Sequence, residues 1–143
     1  MKKIQRSALV MHSAQNMYDL VNQVEHYPAF LPWCDGAEVI ERTLVVQEAR
    51  VRVSRRGVAA SFITRNTMVP GQRIEITLKE GPFTELTGIW EFKPLMENAC
   101  KVTLDLTFEM DNNLLKSAVG KVFEQAASTL VDSFCSRADN LYG

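Results

Sequence analysis

Residues 101–134, KVTLDLTFEMDNNLLKSAVGKVFEQAASTLVDSF, change their hydrophobic period half-way, and that change decides the fold. In KVTLDLTFEM every second side chain is apolar: Val102, Leu104, Leu106, Phe108 and Met110 stand opposite Lys101, Thr103, Asp105, Thr107 and Glu109. A period of two with one oily and one polar set is an antiparallel strand, dry on one face and wet on the other. Beyond Asp111 the period lengthens to that of a helix. Leu115, Val119, Val122, Phe123, Ala126, Ala127, Leu130, Phe134 and Leu141 then share one broad face, and Lys121, Glu124, Gln125, Ser128, Asp132, Ser136 and Asp139 fall opposite. Asp111 or Asn112 is the expected cap. Such a helix, about 40 Å long at 1.5 Å per residue, outreaches a ten-residue strand of roughly 33 Å. It can cross a whole sheet.

Working outward, RIEITLK (73–79) alternates as cleanly as 101–110, with Ile74, Ile76 and Leu78 on one face. EVIERTLVVQEARVRVS (38–54), GVAASFITRNTMV (57–69) and ELTGIWEFKPL (85–95) read as strands with weaker alternation. Turn chemistry separates them at Arg56-Gly57, Pro70-Gly71, Gly81-Pro82 and Glu97-Asn98, so consecutive strands form a meander. Residues 2–11 supply a first strand. Ser13 caps a short helix bearing Met17, Leu20, Val21 and Val24 at helical spacing. A curved antiparallel sheet must cover its dry face, and only the C-terminal helix is large enough. The expectation is an α+β fold, about six or seven strands around a long C-terminal helix, with two short helices after the first strand.

The chain has 143 residues, no repeat and no linker-like tract, so residues 1–143 are expected to form a single domain. Sixteen basic against seventeen acidic side chains leave a net charge of -1, which gives no general attraction for DNA or an acidic membrane. Cys34, Cys100 and Cys135 are odd in number and far apart, which argues against a disulfide framework or a zinc site and for a reducing cytoplasm. The opening MKKIQRSALV is interrupted by Gln5, Arg6 and Ser7 before an apolar core of leader length forms. No window has the roughly 18 apolar residues of a membrane span.

No nucleophile elbow, phosphate loop, dinucleotide fingerprint or zinc-protease motif occurs, and nothing compels an enzyme. His12, at a strand end, and His26 have no carboxylate or thiol partner implied by spacing and read as surface or capping residues. Cys34 reads as a small buried apolar residue rather than a reactive thiol. Arg50, Arg52, Arg55, Arg56, Arg65 and Arg73 gather on consecutive strands and a turn. They form either a solvated sheet face or a local basic patch for RNA phosphates or lipid head groups. Phe62, Trp90, Phe92, Phe123 and Phe134 read by default as a filled core, with an apolar pocket between helix and sheet as the alternative. Gly120, near the apolar stripe, marks a close approach or room beneath the helix.

One segment resists both readings. HYPAFLPWCDG (26–36) packs Tyr27, Phe30, Leu31 and Trp33 between and beside two prolines, too oily for a loop and too rich in proline for an ordinary helix. Pro28 suits a first helical position and Pro32 a stop, which makes a one-turn lid with a bulky face.

With the strand IQRSALV, the helix SAQNMYDLV and the strand GIWEFKPL, the run VEHYPAFLPWCDG resembles the bacterial ribosome association toxins along the whole chain. That family is part of the START-like superfamily of polyketide cyclase and lipid-transport domains, whose mitochondrial relatives are coenzyme Q-binding proteins. The resemblance implies a helix-grip fold with an apolar tunnel between sheet and helix. It implies non-enzymatic binding of ubiquinone or a related isoprenoid lipid in support of respiration, with no required cofactor. For the bacterial branch it implies association with the large ribosomal subunit, and the basic residues leave room for transient membrane contact. The expected lid and tunnel set is Tyr27, Phe30, Leu31, Trp33, Phe62, Trp90, Phe92, Val119, Phe123, Leu130 and Phe134. Arg50, Arg52, Arg55, Arg56 and Arg65 are the expected ribosome or head-group contacts.

Overall fold

The computed structural model describes residues 2–55, 57–113 and 117–143. Arg56 and Leu115 therefore lie outside the described residues. Seven strands form one sheet: β1 (Lys2–Val10), β2 (Cys34–Arg42), β3 (Val46–Arg55), β4 (Val58–Val69), β5 (Arg73–Glu80), β6 (Glu85–Met96) and β7 (Ala99–Glu109). Their order is β1-β7-β6-β5-β4-β3-β2, and every neighbouring pair is antiparallel. β2 to β7 meander, and β1 returns to pair with β7, Lys2 opposite Phe108 and Val10 opposite Cys100. Two short helices, α1 (Ala14–Asn22) and a 3-10 helix (Val24–Ala29), link β1 to β2, and α2 (Ala118–Tyr142) closes the chain. The α+β architecture read from the sequence is the one found.

Alternation fixes which face of each strand is buried. On β7, Val102, Leu104, Leu106 and Phe108 are buried between exposed or half-buried polar residues. Register slips at Asp35 and Ile40 on β2, at Lys79 on β5 and at Leu95 on β6 insert bulges that bend those three strands. The run 38–54 is two strands rather than one. Its turn has no glycine or proline. Thr43 Oγ1 instead accepts from the amides of Val45 and Val46, at 3.3 and 3.0 Å, while the Thr43 amide donates to Val46 O at 2.7 Å. A hydroxyl turn of this kind, buried in the apolar run LVV, carries little compositional signal.

Ser13 caps α1 as expected, its Oγ accepting from the Asn16 amide at 3.1 Å. Asn112 and Asn113 are helical directly after Asp111, as expected, but the long helix α2 itself starts after Ser117, whose Oγ accepts from the Gly120 amide at 3.3 Å. Gly120 accordingly belongs to the first turn and leaves no room beneath the middle of the helix. Its buried face is Val122, Phe123, Ala126, Ala127, Val131, Phe134 and Ala138. Val119 and Leu141, expected on that face, sit in the first and last turns, Val119 half-buried and Leu141 exposed.

The proline-aromatic segment also differs in detail. Its helix begins at Val24, four residues ahead of Pro28. His26 N donates to Gln23 O at 3.0 Å, and Phe30 N to Tyr27 O at 3.2 Å, so the segment is two successive tight turns. Pro28 is the second residue of the latter turn, where its fixed φ fits and no N–H is required. It starts a turn, though not the helix.

Candidate functional site

Beneath the 3-10 helix, α2 does not lie flush on the sheet. A cavity of about 110 Å³ remains between them. Val24, Tyr27 and Trp33 close it from the lid, and Ala49 and Val51 on β3 with Phe62, Thr64 and Asn66 on β4 form its floor. Ile76, Leu86, Trp90 and Leu106 make the far wall, and Phe123, Ala126, Ala127, Leu130 and Phe134 the roof. The hollow lies where floor and roof carry alanines, Ala49 below and Ala126 and Ala127 above. Side chains of one carbon cannot meet across a space set by larger neighbours.

Phe134, 1% exposed, joins roof to lid. Its ring meets Tyr27, Phe30 and Trp90 edge to face at 5.3, 5.5 and 5.4 Å between centroids. The Tyr27 hydroxyl donates to Val21 O, tying the lid to the end of α1. Burial pushes the Tyr27 phenol far above its ordinary value of 10, so it remains a neutral donor. A second tie runs through Gln47, which is fully buried on β3. Its Nε2 donates to Asn22 O and Asn22 Oδ1 at 3.1 and 3.0 Å, and its Oε1 accepts from Arg42 Nε at 2.9 Å. Arg42 in turn meets Glu25 at 2.8 Å. The lid is thus anchored on the helix before it and the strand beneath it.

Of the eleven residues expected at the lid and tunnel, Tyr27, Trp33, Phe62, Trp90, Phe123, Leu130 and Phe134 line the cavity; the other four do not. Phe30 turns to the outer side of α2, with the Arg137 guanidinium 5.1 Å above its ring. Leu31 is buried among Val24, Trp33 and β3 as packing. Phe92 shares a face with Trp90, as two-residue spacing requires, but packs on Tyr18 of α1 at 5.8 Å. Val119 is too near the start of α2 to reach. Thr64 and Asn66 were not anticipated as wall residues. They occupy inward positions of β4 in step with Phe62, and a buried polar side chain in a run of alternating strand was the available signal.

The arginines are close together, but they do not stand as free cations. Arg50 lies 3.5 Å from Glu38, Arg52 3.0 Å from Asp35, and Arg65 3.6 and 3.5 Å from Glu41 and Glu48. Glu48 also accepts from Lys79 Nζ at 2.8 Å, and that hydrogen bond, with the Lys79 and Arg65 charges, holds its carboxyl below the usual range. The face is a mesh of alternating charge. Arg55 has no carboxylate partner among the described residues, and Arg56 lies outside them.

Little else offers reactivity. Cys34, Cys100 and Cys135 are free thiols whose pKa values burial raises, Cys100 to about 11. His26 is exposed, whereas His12 is not the surface residue its spacing suggested. It is buried, its Nε2 2.7 Å from Asp139 Oδ1, a partner 127 positions away that only folding brings near. The pair joins the end of β1 to the end of α2, apart from the cavity walls. Among the described residues no cluster of three or more metal-ligating side chains occurs, and no helix is long and apolar enough to cross a membrane.

A sheet gripping one long helix over an apolar cavity has known counterparts. The family model described as polyketide cyclase / dehydrase and lipid transport matches residues 10–135. The chain belongs to that family. Within it, the chain is 51% identical over 140 residues to the ribosome association toxin RatA of Pseudomonas aeruginosa, covering 98% of this chain and 97% of that one. It is 43% identical over 142 residues to the RatA of Escherichia coli K12, covering 99% and 90%. A coenzyme Q-binding protein COQ10 homolog B from Xenopus laevis is 24% identical over 141 residues, covering 96% of this chain and 58% of that one. Among solved structures, a START superfamily protein from Mycobacterium smegmatis superposes with a TM-score of 0.80 at 21% identity, covering 97% and 98% of the two chains. A protein from Thermus thermophilus does so with a TM-score of 0.83 at 20% identity, covering 99% and 100%. These two likenesses establish the shared fold.

Proposed function

We propose that this family member is a non-enzymatic binding protein that takes an isoprenoid quinone or related lipid between α2 and the sheet. The observation that carries it is the cavity beneath the lid, walled by Trp33, Phe62, Trp90, Phe123 and Phe134. Its size sets a condition. A space of about 110 Å³ is below the roughly 150 Å³ cavity that accepts benzene, so neither a ring nor a tail enters unless the lid gives way. A tailed ligand therefore requires the 3-10 helix to swing away, and Tyr27 and Trp33 to re-close against the ligand. The coenzyme Q-binding name of the amphibian relative supports the same ligand class. Native mass spectrometry of protein purified without detergent, then incubated with decylubiquinone, tests it. A one-to-one adduct that Trp33→Ala loses is expected; protein that neither carries nor takes up quinone or lipid overturns the proposal.

A second role is favoured by the relatives. Proteins named ribosome association toxin that share 43–51% of residues over nearly the full chain support action on the ribosome. With its arginines mostly paired to carboxylates, the outer face offers Arg55 as the readiest phosphate contact. Added protein should make free subunits accumulate in sucrose gradients, and Arg55→Glu should weaken that effect more than Arg50→Glu. Unchanged profiles with the wild-type protein would exclude this role.

A further inference from the structure

Two side chains of the cavity wall each carry a buried polar atom with no hydrogen-bond partner: Trp33 Nε1 and Asn66 Oδ1. Both side chains are more than nine-tenths buried, at 7% exposure each. A buried polar group without a partner costs free energy, and native interiors hold few of them. The obvious partner for Asn66 is already committed. In the β3–β4 register Asn66 stands opposite Gln47, but Gln47 spends both amide hydrogens on Asn22 and its oxygen on Arg42. On its other side Asn66 faces Ile76, which has nothing to donate. A leucine at 66 or a phenylalanine at 33 would keep the wall without the cost. The two atoms differ in kind, because an indole N–H only donates and an amide oxygen only accepts.

We infer that the cavity is shaped for a ring-sized apolar head group bearing a hydroxyl, a phenol or hydroquinone, whose hydrogen goes to Asn66 Oδ1 and which offers an oxygen to Trp33 Nε1–H. This rests on the ligand-binding proposal and narrows it. The aromatic edges of Trp90, Phe62 and Phe123 suit the ring, which enters as the lid gives way. A hydrocarbon of the same shape leaves both wall atoms bare. Sites built around a ligand hydroxyl reject the analogue lacking it far more strongly than oily pockets distinguish one methyl from another.

p-Cresol and p-xylene, which differ by a hydroxyl in place of a methyl, are the probes, with dissociation constants from calorimetry on the full chain. The unmodified protein should bind p-cresol at least tenfold more tightly, against the order that hydrophobicity alone imposes. Asn66→Leu should lose that preference or invert it, and Trp33→Phe should reduce it. Because Asn66→Leu removes a partnerless atom, its melting temperature should be unchanged or higher. Equal binding of the two probes to the unmodified protein, or tighter p-xylene binding, overturns the inference while leaving an apolar binding site intact. A large fall in melting temperature for Asn66→Leu overturns it too, by showing that the amide serves the fold. If neither probe nor decylubiquinone binds, the ligand-binding proposal itself fails.

Discussion

The two ends of the helix–sheet interface are built from the same elements to opposite effect. Toward its C-terminus, α2 packs solidly against β1, β6, β7 and α1, where Met17, Phe92, Cys100, Leu104 and Ala138 are almost wholly buried. Under the lid the same helix meets β3 and β4 through Ala126 and Ala49, with Thr64 and Asn66 in the wall, and a cavity is left. One end is filled; the other leaves a space beside its alanines, ringed by larger side chains. Hollowness in this fold is thus a local choice of side-chain size, made on a helix whose apolar stripe is continuous.

The largest effect is expected in the filled core where β7 meets the first turns of α2. Phe108→Ala should cost about 3–5 kcal/mol in urea unfolding, since its ring is fully enclosed by Phe83, Phe123 and neighbouring strands. A sharper contrast uses one substitution twice on one helix. Ala138→Leu, at a position with 0% exposure, should destabilise by about 1–3 kcal/mol through overpacking. Ala126→Leu points into the cavity and should change stability by less than about 1 kcal/mol while weakening decylubiquinone uptake at least tenfold. Equal costs at 126 and 138 would mean that the two ends are equally filled.

The smallest effect lies on the outer face. Glu48 is held below its ordinary value of 4.5, so the stability its pairs with Lys79 and Arg65 contribute is fully present above that pH. It is lost as pH falls through the lower folded-state value. Urea midpoints measured from pH 6 to pH 3 should therefore decline less steeply for Glu48→Gln than for wild type. Decylubiquinone uptake should be the same for both proteins, because Glu48 is not among the cavity walls.

Much of this was legible beforehand because its causes are local. Alternation in 73–79 and 101–110 placed the buried faces of β5 and β7, and Ser13 capped α1 where a hydroxyl preceding apolar helical spacing should. The turn at Thr43 was hidden because its hydrogen bonds come from a side-chain hydroxyl inside an oily run. Seven of the eleven expected lid and tunnel residues reach the cavity. Phe30, Leu31 and Phe92 are as oily as the other seven, but composition cannot tell a ring that walls a cavity from one that packs beside it. The arginine cluster was visible, whereas its neutralisation depended on carboxylates brought alongside by strand register.

By itself the sequence determined the order of elements, the wet and dry faces of the strands, the single oily stripe of the last helix and the stiff, bulky lid. Each follows from the period or turn chemistry of neighbouring residues. Only the tertiary structure decided that Ala49 and Ala126 border one cavity, that Gln47 is spent on Asn22 and Arg42, and that Asn66 and Trp33 line that same cavity with polar atoms to spare. Whether space is filled or left open depends on the summed sizes of side chains that meet from distant positions, and no window along the chain contains that sum.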